Sequence, residues 1–126
     1  MKRDMDVIRQ MLLLIEAEGP AVGEYTIESK AFPTLSPEEV WGHIRLLEEA
    51  GFISEARQMF GGGETWQAGS ITWEGNEYLD KVRDPEVWKK TKAIAAQAGG
   101  GGLKLMGDIA AQVISASIVA AVKLQG

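Results

Sequence analysis

The chain has 126 residues and carries 13 Lys and Arg against 18 Asp and Glu, a formal net charge of −5. Apolar residues make up 45% and charged residues 25%, which is the composition of a globular fold and excludes a disordered chain. With no cysteine and one histidine, disulfides, thiolate metal sites and multi-histidine zinc centres are excluded as well. The opening Met-Lys-Arg-Asp-Met-Asp puts charges where a signal peptide needs its apolar run, so a cytoplasmic location is expected. Charge is unevenly placed. Residues 1–84 hold 8 basic and 16 acidic side chains, whereas residues 85–126 hold 5 and 2. The basic tail therefore either meets an acidic partner or lies against its own acidic body.

In chain order, Asp4 is placed to cap a first helix, whose stripe of Met5, Ile8, Leu12 and Ile15 is widened by Met11, Leu13 and Leu14. Gly19-Pro20 ends that helix. Residues 21–35 lack helix signals, and the alternation in Tyr25-Thr26-Ile27-Glu28 predicts a short strand within a connection. Ser36-Pro37-Glu38-Glu39 reads as a capping box opening a helix over 37–50 with Val40, Ile44 and Leu47 inward. Gly51 then supplies a left-handed cap, with Phe52 returning to Leu47.

A hairpin follows, with strands at 52–57 and 65–71 and Gly61-Gly62-Gly63 as its tip. Thr72 caps a short helix carrying Tyr78, Leu79 and Val82 inward. Asp84-Pro85 opens another helix that runs to about Ala98. Glycines 99–102 form a hinge, and Leu103 to Leu124 reads as the last helix. The organisation is thus a body over 1–84, a helical extension over 85–98, the hinge at 99–102 and an apolar helix over 103–126. The fold class is mainly α with a small β-hairpin.

No catalytic, cofactor or metal site emerges, and none is expected. His43 has no nucleophile or second ligand at a suitable spacing, so a structural imidazole is expected. The pairs Glu38-Glu39 and Glu48-Glu49 diverge around a helix instead of converging on a substrate. Trp41 lies off the apolar stripe, which leaves it either an exposed anchor or a ring packed under the hairpin or under residues 21–35. Trp66 and Trp73 are expected in the core. Trp88 stands among Lys89, Lys90 and Lys92, where it either stacks on a nucleic-acid base or packs back on the body.

From Ile109 to Val122 there is no formal charge. At about 1.5 Å per residue this 14-residue run spans roughly 21 Å, short of a bilayer core, so no membrane span is expected. A helix apolar over so wide an arc is expected to be buried. Ile109, Val113, Ile114, Ser117, Ile118 and Ala121 are the candidates for burying it against a second copy.

The order of capped helix ending in Leu-Glu-Glu-Ala-Gly-Phe-Ile, glycine-tipped hairpin and Ile-Thr-Trp-Glu-Gly resembles a winged helix-turn-helix domain. Ile44, Leu46, Leu47, Gly51, Phe52 and Ile53, then Ile71, Thr72 and Gly75, carry the resemblance. The opening six residues, Trp73 to Asp80, and Arg83-Asp84 with Trp88 also look like a family of small proteins common in bacteriophages and prophages. That likeness covers roughly residues 1–98. It implies a winged-helix-like body and a phage association, and carries no mechanism.

Winged helices often place one helix in the DNA major groove. Here that helix offers Glu38, Trp41, Arg45, Glu48 and Glu49, an acidic face that repels phosphates. The short helix that usually precedes it is replaced by residues 21–35. A non-enzymatic interaction or regulatory protein, binding a host or phage protein through Trp41, Arg45, Glu38, Glu48 and Glu49 and self-associating, is therefore expected. The alternative is a DNA-binding regulator that presents Lys81, Arg83, Trp88, Lys89, Lys90 and Lys92. Inhibition of a host defence system is a third reading.

Overall fold

The computed structural model describes residues 1–59, 63–97, 99 and 102–125, with side chains through residue 122. Among them are five helices, α1 (Met5–Glu18), α2 (Pro37–Glu49), α3 (Trp73–Val82), α4 (Pro85–Gln97) and α5 (Leu103–Gln125). Three strands, β1 (Tyr25–Glu28), β2 (Ala56–Gln58) and β3 (Thr65–Ala68), form one antiparallel sheet in the order β1-β3-β2. Gly61 and Gly62 of the expected hairpin tip, and Gly100 and Gly101 of the expected hinge, lie outside the described residues, as does Ala98. The chain divides into two compact units, Met1–Asn76 and Glu77–Gly126.

The first unit is built on well-made helix ends. Asp4 caps α1 by accepting from the amides of Asp6 and Val7. The capping box of α2 is complete, since the Ser36 hydroxyl accepts from the Glu39 amide at 3.2 Å and the Glu39 carboxylate accepts from the Ser36 amide at 3.0 Å. At the other end Gly51 takes φ +76°, a conformation that a Cβ resists. Phe52 N–H donates to Leu47 and Gly51 N–H to Glu48, both at 2.9 Å, and these two bonds define the Schellman motif.

Val7, Ile8, Met11, Leu12 and Ile15 of α1 are buried, as are Val40, Ile44 and Leu47 of α2. From the sheet come Ile27, Trp66 and Ala68, whose positions alternate with the outward row of Thr26, Gln67 and Arg57. Burying one such aliphatic side chain contributes about 1.5–3 kcal/mol before entropy is counted.

The hairpin keeps one register from the Ile53–Ile71 bridge to the Gln58–Trp66 pair, with Ser54 and Gly69 amides bonded across it. Regular pairing begins at Ala56, later than the expected 52, because the chain is still completing the cap of α2. The predicted strand at Tyr25–Glu28 is present. It pairs with β3, so the hairpin is one side of a three-stranded sheet. Thr72 closes the unit, its hydroxyl accepting from the Gly75 amide at 3.1 Å and donating to the Gly51 carbonyl.

In the second unit, Asp84 caps α4 through the amides of Glu86 and Val87 at 2.8 and 3.1 Å. Thr91 is fully buried and returns its hydroxyl to the Val87 carbonyl at 2.7 Å. Helices α4 and α5 pack on each other, and Gly107 of α5 lies over the Tyr78 ring. Tyr78, Leu79 and Val82 are inward, as their spacing predicts.

Candidate functional site

No group of three or more His, Cys, Asp or Glu able to hold a metal ion occurs among the described residues. On α2 the outward face holds Glu38, Arg45 and Glu49, all exposed, with Trp41 and Glu48 half-buried along its edge. Trp41 stacks on Trp66 of β3 with centroids 6.3 Å apart and planes 12° from parallel. The Arg45 guanidinium lies 5.9 Å over the Trp41 ring and pairs with Glu48 and Glu49 at 3.8 and 3.9 Å. Of the two alternatives for Trp41, packing under the hairpin is the one seen, for the indole stacks on Trp66 and the residue is half-buried.

Glu48 has a further task. Its carboxylate accepts from the Ala56 amide at 2.8 Å, which ties the edge of β2 to α2. His43 is buried, with Nδ1 donating to the Glu39 carbonyl at 2.7 Å and Nε2 accepting from the Asp4 amide at 2.9 Å. Its place is structural, and no sequence signal pointed to the Asp4 bond because 39 residues separate the partners. The Glu39 carboxyl is held clearly below its usual range. The cause is first the Ser36 backbone hydrogen bond, then the Ser36 side chain, with His43 adding a smaller electrostatic contribution.

One expectation, a buried Trp73, needs correction, and the structure decides between the two alternatives for Trp88. Trp73 is 77% exposed, because as the first residue of α3 it points away while Gly75, two positions on, packs against the Phe52 carbonyl. Trp88 is buried and so has no face free to stack on a base, although Lys89, Lys90 and Lys92 beside it are exposed. Lys81 is half-buried, and Arg83 pairs with Asp80 at 2.8 Å.

On α5, Ile109 and Val113 are covered by the chain's own residues, so they are not available to a second copy. Ile114 is half-buried, whereas Ser117 and Ala121 are exposed and Ile118 is 59% exposed. Val119 and Val122, which the sequence reading passed over, are also exposed. An open groove of about 450 Å³ runs between α4 and α5, floored by Ala93, Ile94, Val113, Ala116 and Ala120. Thus the helix expected to be buried is covered over its first half only.

Counted with Lys104 and Asp108, Leu103–Val122 has 20 residues and mean hydropathy 1.8, long and apolar enough to cross a membrane by length and composition. The charge-free run alone was too short. The core helix of a soluble protein meets the same two criteria.

The fold defines a small, mainly helical protein with a three-stranded antiparallel sheet. The chain belongs to the DUF2513 family, described as "Hypothetical protein", whose profile matches residues 2–101. It is similar to an "Uncharacterized protein" of Haemophilus influenzae, 35% identical over 92 residues that cover 73% of this chain and 76% of the relative. No solved structure matches. The family match ends at residue 101, just before α5 begins at Leu103.

Proposed function

We propose that this chain is a non-enzymatic interaction or regulatory protein, acting in the cytoplasm and associated with phage or prophage. It self-associates through α5 and holds a protein partner on the acidic face of α2. The body serves as a winged-helix-like scaffold in this reading, and the phage association rests on the resemblance of its opening and of Trp73–Asp80.

The observation that carries the reading is the second half of α5. Ile118, Val119 and Val122 are each more than half exposed on a helix with no formal charge between Ile109 and Val122. Large apolar side chains gathered on one exposed element are the ordinary mark of an interface. Small neighbours such as Ala116, Ser117 and Ala120 let a second helix approach closely.

The test is the light-scattering mass of the full chain without and with random duplex DNA at low salt. An oligomer that ignores DNA, and that falls to monomer mass with Ile118→Glu and Val122→Glu together, is the expected result. A monomeric wild-type protein would overturn self-association. A salt-sensitive shift onto DNA would overturn protein binding in favour of the lysines of α4.

A further inference from the structure

Opposite charge is gathered on separate units of this chain. Met1–Asn76 holds 6 basic and 13 acidic side chains, whereas Glu77–Gly126 holds 7 and 5. A surface of one sign repels its own kind and draws in a surface of the other.

The acidic unit shows its charge openly on α2. Glu38, Arg45 and Glu49 follow one another at seven and four residues, so they share the outward face, and all three are exposed. The half-buried Glu48 lies beside them. Arg45 is the only Lys or Arg of the helix, and its pairs with Glu48 and Glu49 are long, at 3.8 and 3.9 Å. Glu48 and Glu49 also fall in the last turn, which holds no basic residue. Their charge therefore adds to the negative end of the helix dipole, where a cation is favoured and a carboxylate is not.

The basic unit carries the matching pattern on α4. Lys89 and Lys90 are exposed and make no ion pair among the described residues. Glu86, in the first turn, is the only acid of that helix. Lys90 also borders the groove between α4 and α5, and Ile94, one turn on, is 45% exposed. This surface is cationic with an apolar edge, as the face of α2 is anionic with the half-buried Trp41 at its edge.

We propose that the partner held on α2 is a second copy of this chain, with Lys89 and Lys90 of its α4 set against Glu38, Glu48 and Glu49. In a twofold pair each copy gives its α4 to the other, so the contact is made twice. The apolar half of α5 supplies area, and the charged contact fixes how the copies face each other. The proposal rests on the self-association read above and names what α2 holds.

The experiment is sedimentation velocity on the full chain and two charge-reversed variants. Lys89→Glu with Lys90→Glu makes both faces acidic, and Glu38→Lys with Glu49→Lys makes both basic. Each variant alone should self-associate about tenfold more weakly, the worth of a few exposed ion pairs. Mixed in equal amounts they should recover the wild-type mass, because every α4 then meets an α2 of opposite sign. Glu18→Lys with Glu74→Lys changes the net charge as much as the α2 variant does, at exposed sites off both faces, and should leave association unchanged. Salt gives a second reading that needs no variant to fold. Raising it from about 0.1 to about 1 M shortens the screening length from about 10 to about 3 Å and should weaken the wild-type pair to a similar degree.

Single variants that keep the wild-type mass overturn the α2–α4 contact and leave self-association through α5 standing. A mixture that stays as light as its components overturns the contact as well, since the two faces then do not meet between copies. A monomeric wild type at low salt overturns both readings together.

Discussion

Helices α2 and α5 are opposites. In α2, 13 residues carry a complete capping box, a Schellman end and an apolar stripe with every member buried. In α5, 23 residues carry far more apolar character, yet half of the helix lies open. Hydrophobicity alone does not say where a helix is buried. Punctuation and a narrow stripe do, because they fix both the ends of the helix and the one direction it must face. A helix apolar on all sides can satisfy several neighbours, and its own chain supplies only some of them.

The same substitution in the two helices should break this comparison open. Ile44→Ala empties a fully buried site and should cost about 2–5 kcal/mol, read as a shift in the urea midpoint. Gly51→Ala forces a Cβ into the left-handed region and should cost about 1 kcal/mol in the same titration. Ser36→Ala removes half of the capping box and should cost about 0.5–2 kcal/mol. Ile118→Ala, measured at a protein concentration where the chain is monomeric, should change stability by no more than about 0.5 kcal/mol.

The capping box also sets an acid limb. The folded state holds the Glu39 carboxyl below its ordinary value, so its contribution is present at neutral pH and lost as pH falls through the folded value. Glu39→Gln should flatten that limb of the stability profile and leave the neutral-to-alkaline side unsloped.

What the residues made legible follows the same division. Caps at Asp4, Ser36, Thr72 and Asp84, and the end at Gly51, are local chemistry decided within four residues, and each is present. The pairing of β1 with β3 was not legible, since a four-residue strand carries no address for a partner about 40 residues away. Nor was the Trp41–Trp66 stack or the Asp4–His43 bond, both made between distant segments. Trp73 was misplaced for a different reason. Its size argued for the core, while the close approach of Gly75 to the Phe52 backbone turned the start of α3 the other way.

The order of the sheet bears on how the protein is born. β3 is the central strand and the last of the three to be synthesised, so β1 has no neighbour until residues 65–68 have left the ribosome. Both edges of the sheet then form on one template, and Ile27 and Trp66 meet in register in the same event. A nascent chain of about 60 residues would thus display α1 and α2 with their apolar stripes uncovered, a short window in which chaperones have something to hold.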